Sequence, residues 1–409
     1  MAVTRLKTMT SPVVIKQSDD RKMLLDKWKV SGTKKEDMFK YLEKMDELNK
    51  LVPTMTNEIQ IFTLDHVDYE KGTLVGYRHG AGYGTIAEEI PISKLKKYDG
   101  MNKGLLNETE YDSKMLFMIG NDIFFTNKKI VVTLSQRAGT STGKAAYKDD
   151  LKIRFHRDAG YVAYMEAFPS MCRLMIRKAG KAKKLYAAFA DAYGIISQKD
   201  LVQDFMDCYE KEFGTSAVYY QIDNYKTQIV LEFMNYKPLA SVKGFEKDIV
   251  PGIMIQMSDT GDTAFSVTGT IRTRVGTGYM PTPVYSRKHT KNAAEEISAE
   301  EALASMLPEF KKLPGVFKKL CSVHINKDRE KIIRKAVSFC GIKRDVSAKA
   351  EGEALDIVLN ALKEEDEITA CDIAVSIIEA CDFLSEDMCE KSSDKLKNCS
   401  VKSLYYKYA

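Results

Sequence analysis

The chain has 409 residues, of which 44% are hydrophobic and 29% charged, with a formal net charge of +5. That length suits two or three domains with sizeable cores and excludes disorder as a description of the whole. No apolar run approaches the roughly 18 residues of a bilayer span, and the N-terminal MAVTRLKTMTSPVVIKQSDDRK lacks the apolar stretch of a signal peptide, so no membrane contact and a cytoplasmic location are expected.

The charge is uneven. Residues 345–390 hold 14 Asp/Glu against 2 Lys/Arg, a net −12, which leaves +17 on the remainder. A basic body joined to an acidic helical end suggests an anionic partner for the body. The eight cysteines form no CxxC pair and read as small buried hydrophobes in a reducing compartment.

Residues 1–18 read as an extended arm. Two helices are predicted next, one carrying Met23, Leu24 and Trp28 and one carrying Met38, Tyr41, Leu42 and Met45, separated at Ser31-Gly32-Thr33. Trp28, the only tryptophan, reads as a core anchor. IQIFTLDHV and GTLVGYRHG then have strand character on either side of the turn at Glu70-Lys71-Gly72. The glycine-rich Arg78–Gly84 lacks the order and the following helix of a dinucleotide loop, and reads as a hairpin.

MLFMIG, DIFFT and KKIVVTLSQR are candidate strands, and LKIRF is another. Between the last two, Ala138–Lys144 approaches a Walker A loop. The residue after Lys144 is Ala145, however, so the hydroxyl that holds Mg²⁺ is absent, and a flexible connection is the better reading.

Residues 170–195 are predicted to form a long helix. At 100° per residue, Met171, Leu174, Met175, Leu185 and Phe189 share one face, with Arg173, Arg177, Lys181 and Lys184 opposite. Six Lys/Arg and no acid lie between Arg173 and Lys184, Lys178 among them. A solubilising face would ordinarily mix signs, so this stripe is a candidate polyanion contact.

A helix over Asp200–Phe213 ends at Gly214, and the aromatic pair AVYYQID and KTQIVLEFMNY follows as a hairpin. Tyr219, Tyr220, Tyr225, Phe233 and Tyr236 there suit a sheet core or a stacking platform for single-stranded nucleic acid. After Pro251, GIMIQMSD and TAFSVTGTIRTRV read as strands, and Pro281 and Pro283 predict that the chain leaves the sheet. Beyond Lys291 the pattern is helical: Ser298 to Glu301 is a capping-box signature, and later helices cover Asp328–Cys340, Ser347–Leu362, Thr369–Leu384 and Ser393–Tyr405.

Residues 117–160 and 251–292 echo one another. Each has strand residues, an arginine (Arg137, Arg274), a Gly-Thr turn and a closing Arg154-Phe155-His156 or Arg287-Lys288-His289. A duplicated β-unit would place His156 and His289 at equivalent positions. Within the second stretch, Ser258-Asp259-Thr260-Gly261, Arg274 with Gly278, and Arg287, His289 and Thr290 resemble three motifs of an uncharacterised phage/plasmid-like protein family, with Val275-Gly276-Thr277 standing where Cys-Thr-Asn is usual. The resemblance covers about 40 residues. It implies a phage or plasmid origin and a bacterial host cell, and it implies no activity.

The expected fold is α+β: a mixed or antiparallel β-sheet body with packed helices over 57–293, an N-terminal arm and helices over 1–56, and an acidic helical domain over 294–409. The function expected is non-enzymatic nucleic-acid binding, with single-stranded DNA favoured and with coating or annealing as its form. Its contacts would come from the 173–184 stripe with Arg154, His156, Arg274, Arg287 and His289. The alternative is a self-assembling structural protein, or a viral factor that binds a host protein, with a homo-oligomer expected in either case. No cofactor or metal is expected, because no His/Asp/Glu cluster has ligand spacing and no nucleotide loop is intact. An enzyme would have to assemble its site across the fold.

Overall fold

A computed structural model describes residues 22–80, 82, 84–96, 103–139, 149–179, 182–233, 249–261, 264–273, 275–290 and 292–408. The extended arm, most of the Walker-like loop and Tyr236 lie outside the described residues. The fold is α+β.

The body begins with β1 (Lys29–Gly32), α1 (Lys35–Leu48), β2 (Asn49–Met55), β3 (Ile59–Asp68), β4 (Thr73–Gly80) and β5 (Gly84–Pro91). Next come α2 (Ile92–Lys96), α3 (Lys103–Tyr111), β6 (Met115–Ile119), β7 (Asp122–Thr126), α4 (Lys128–Arg137) and α5 (Leu151–Ala167). The body closes with β8 (Met171–Ala179), β9 (Ala182–Ala190), α6 (Gln198–Phe213), β10 (Ala217–Asp223), β11 (Thr227–Glu232), β12 (Val250–Met257), β13 (Phe265–Arg272) and β14 (Thr277–Arg287). The helical end comprises α7 (Ala293–Glu296), α8 (Ala299–Ser322), α9 (Arg329–Phe339), α10 (Ile342–Asp345), α11 (Ala348–Ala361), α12 (Ala370–Ser385) and α13 (Glu390–Ser400).

Two sheets organise these elements. One is antiparallel, in the order β1-β10-β11-β12-β13-β14; the other runs β2-β8-β9-β7-β6-β3-β4-β5 and is mixed through a single parallel pair, β7 with β9. The described residues 22–56 are therefore part of the body: β1 extends one sheet and β2 the other. The predicted first helix is instead a 3-10 turn at Lys22–Leu24 followed by β1. Trp28 is buried and meets Tyr41 edge-on, as a core anchor should.

Three further readings are corrected. KKIVVTLSQR and LKIRF are helical, in α4 and α5. Asn127 caps the first by accepting from Ile130 N, and Asp150 caps the second by accepting from Ile153 N. The β-branched residues of α4 suggested a strand, yet Ile130, Val131, Leu134 and Ala138 recur at helical spacing and are all buried against the eight-stranded sheet. Conversely, residues 170–195 form the hairpin β8–β9 and not a helix. Both faces of this hairpin are covered. Leu174, Ile176 and Leu185 face the cluster under α4 and α5, while Met175, Tyr186 and Ala187 face the other way, so no polar–apolar alternation marks the strands. Finally, the chain stays in β14 across Pro281 and Pro283, although its pairing with β13 is interrupted between Tyr279 and Val284. There β14 is an edge strand whose register slips, from Thr270↔Tyr279 to Thr268↔Val284, and an edge with a bulge accommodates proline.

The echo between 117–160 and 251–292 has no structural counterpart. The first segment is strand–strand–helix–helix where described, whereas the second is three antiparallel strands.

The helical end follows the sequence closely. Ser298, Ser347 and Thr369 cap α8, α11 and α12, the last with a reciprocal capping box to Asp372. The largely apolar α12 is the centre of this region and packs on α8, α11, α13 and β14, so the helices continue the core of the six-stranded sheet. Gly278 marks the closest approach: a Cβ there would lie 2.4 Å from Val401 Cγ2. Among the described residues, no helix is long and apolar enough to cross a membrane.

Candidate nucleic-acid interface

Strand geometry redistributes the basic stripe. Successive residues of a strand point to opposite faces, so the one-sided array expected of a helix cannot form. Arg177 and Lys184 instead face each other across β8 and β9 and are 1% and 0% exposed.

Arg177 donates from Nε to Asn49 Oδ1 at 2.7 Å and from Nη1 to Asn224 Oδ1, with its guanidinium 4.5 Å from the centre of the Tyr186 ring. Lys184 Nζ reaches Leu24 O, Glu108 Oε2 and Asp26 Oδ1, each at 2.9 Å. Burial works against the Lys184 charge, but the Tyr186, Asp26 and Glu108 groups outweigh it and hold the ammonium pKa above its ordinary value. Two like charges opposite each other in a sheet repel; here each is matched by its own partners.

These contacts belong to a buried polar junction between the two sheets. Asn49 Nδ2 and Gln198 Nε2 both donate to Asp259 Oδ2, and Thr227 donates to Gln198 Oε1 at 2.6 Å. Tyr225 donates its hydroxyl to Asp26 and accepts from Asn127 Nδ2. The segment Ser258-Asp259-Thr260 lies within the junction and is wholly buried. Gly261, at φ +73°, completes its turn beside Phe189, where a Cβ would lie 2.9 Å from the ring.

The remaining predicted contacts are dispersed. Arg173 pairs with Asp191 at 3.1 Å, Lys178 is exposed, and Lys181 and Arg274 lie outside the described residues. Arg154 is buried on α5 and donates to Leu64 O, whereas His156, two residues on, is exposed. Arg287 sits over Tyr285 and pairs with Glu301 at 3.2 Å. His289 stacks on Tyr193, which stacks on Phe189 at 3.6 Å. Burial lowers the His289 pKa, which favours neutral imidazole. A surface ligand thus cannot reach Arg177 or Lys184, and His156 and His289 are not equivalent. Of the aromatic residues of this hairpin, Tyr220 and Phe233 are core residues and Tyr219 and Tyr225 are half-buried.

A different basic surface is exposed. Residues 311–349 hold twelve Lys/Arg against Asp328, Glu330 and Asp345, and all of the twelve but Arg329 are exposed. On α8 the pairs Lys311-Lys312 and Lys318-Lys319 are seven residues apart and share one side of the helix, opposite the buried Met306, Phe310, Leu313 and Phe317. On α9, Lys331 and Lys335 are exposed while Ile333, Ala336 and Val337 are buried. Lys311, Lys318, Lys319, Lys331 and Lys335 make no ion pair with a described residue. The sequence signal was available: a net +9 within 39 residues. Describing 294–409 as one acidic domain averaged it against the −12 that follows.

No family model, no curated protein and no solved structure matches the chain.

Proposed function

We propose that the protein binds nucleic acid without catalysis, through phosphate contacts made by the lysine-rich surface of α8 to α10. The observation that carries this reading is the set of exposed lysines on α8 and α9, Lys311, Lys318, Lys319, Lys331 and Lys335, that make no ion pair with a described carboxylate. Lysines left unpaired on a folded surface have their charge available to a polyanion, and release of condensed counterions supplies the affinity. The resemblance of residues 251–292 to a phage/plasmid-like family supports a mobile-element setting.

The test is fluorescence anisotropy with labelled single-stranded DNA, duplex DNA and RNA, titrated between about 50 and 200 mM salt, the range over which phosphate contacts weaken steeply. Lys318→Glu, Lys319→Glu, Lys331→Glu and Lys335→Glu combined should weaken binding and flatten the log–log salt slope by roughly 3, at about 0.7–0.9 per lost contact. Lys178→Gln, on the hairpin, should change neither. An unaltered slope in the fourfold variant, or no binding at the lowest salt, removes the proposal. A strand preference in the wild type would identify single-stranded DNA as the partner.

A second reading has its own support, because the basic face and the acid-rich 345–390 stretch belong to consecutive helices. Head-to-tail self-association would join them. Size-exclusion chromatography at two salt levels, without nucleic acid, reads it directly.

A further inference from the structure

A cleft of about 600 Å³ opens where the turn after α3 faces the first turns of α4 and α5. Lys114, Lys128, Arg154 and Arg157 line it together with Glu110, Asp112 and Asp149. The acids differ in how firmly they are held. Glu110 accepts from Val67 N and the Tyr69 hydroxyl, and Asp112 accepts from Lys128 N at the start of α4. Asp149 is 68% exposed in its side chain and is held by Lys114 at 2.5 Å. It is the one acid of the three whose recorded partners are all side-chain cations of the cleft.

The cations are fixed from behind. Arg154 is 5% exposed; it donates one N–H to Leu64 O, and its Nε is buried with no hydrogen-bond partner, 3.9 Å from Asp149 Oδ1. A buried guanidinium N–H left without an acceptor is costly. Lys114 stands at φ +49°, in the left-handed region that favours glycine, where its N–H caps α3 by donating to Thr109 O at 2.7 Å. A lysine in this conformation has a backbone cost that glycine would avoid, and what it adds is an ammonium at the mouth of the cleft. The N-termini of α4 and α5 add their dipoles.

We infer that this cleft binds a phosphate group, which Lys114 and Arg154 hold in competition with the Asp149 carboxylate. A tetrahedral oxyanion offers more acceptor sites than the single carboxylate oxygen that both cations approach, so it can satisfy Arg154 Nε while keeping the Lys114 contact. The phosphate can be inorganic or the terminal group of a nucleotide. The cleft is formed by other elements than the lysine-rich helices, so this inference goes beyond the nucleic-acid reading.

The test is isothermal titration calorimetry of the full chain with inorganic phosphate and, separately, with a nucleoside monophosphate, at ionic strength matched with chloride. Lys114→Gly removes the cation and relieves the left-handed backbone; it should raise the melting temperature while weakening phosphate binding by about tenfold, the loss of one charge-assisted contact. Asp149→Asn removes the competitor and should tighten binding several-fold. Equal affinity for the two ligands would mean that the phosphate alone is recognised, and tighter nucleotide binding that the rest of the nucleotide adds contacts. The inference is overturned if neither ligand binds beyond the chloride control, or if Lys114→Gly binds as the wild type does. The fourfold lysine variant of α8 and α9 should keep full phosphate affinity, and Lys114→Gly should keep the wild-type salt slope on DNA, so the two proposals fail independently.

Discussion

Asp259→Asn tests the buried junction most directly. Asp259 is 2% exposed, and burial pushes its carboxyl from 3.8 up to about 6, against the opposing pull of the Arg177 charge and of the Gln198 and Asn49 amides. The folded chain therefore holds this proton more tightly than the unfolded chain does. The stability it contributes is fully present below about pH 4 and is lost as the pH rises through about 6. At about 1.36 kcal/mol per pKa unit, the gap amounts to about 3 kcal/mol across that window. Asparagine keeps an oxygen that can accept from Asn49 and Gln198 and has no proton to lose. Urea unfolding at pH 4, 5, 6 and 7, followed through the buried Trp28, should show the wild type losing about 3 kcal/mol relative to the variant as the pH rises. Parallel stabilities across the four pH values would refute the assignment of this titration to Asp259.

Lys184→Met should destabilise the chain by about 3–5 kcal/mol, because it leaves Asp26 and Glu108 facing each other without their shared cation; denaturant midpoints check this, and a loss below about 1 kcal/mol would deny the triad its role at the junction. Gly278→Ala should cost about 1–3 kcal/mol by driving a methyl into Val401 and Ser400, and calorimetry would show it as a lowered melting temperature.

The local signals that survived in the structure are those whose physics is complete within a few residues. Ser298, Ser347 and Thr369 bind the backbone three residues on, so the helices they cap start where the sequence places them. Gly214, at φ +83°, ends α6 for an equally local reason. Readings that depended on periodicity failed where burial is two-sided. Along β8 and β9 both faces meet packed layers, and the polar residues that would have revealed a strand are replaced by Leu, Ile, Met and Ala. Three of the five charged residues that remain, Arg173, Arg177 and Lys184, then fell by coincidence on one side of a helical projection. The echo misled in the same way, since Arg154, Phe155 and His156 lie on α5 whereas Arg287 ends β14 and His289 follows it.

Charge is the harder property to interpret from sequence, because its meaning depends on partners distant in the chain. Arg177 and Lys184 look like free surface cations in their own stretch, yet they are neutralised by Asp26 and Glu108, or held by Asn49 and Asn224, from 47 to 158 residues away. Lys318, Lys319, Lys331 and Lys335 also belong to a segment with few acids, and no described carboxylate pairs with them. What separates the two sets is the faces they project onto. Arg177 and Lys184, in the middle of strands covered on both sides, point inward, so their charge is matched within the protein. Lysines on the outer side of α8 and α9 lie opposite a single apolar stripe and point to solvent. A basic run therefore supports polyanion binding where an amphipathic helix carries it, and argues for a buried ion network where apolar residues flank it on both strand faces.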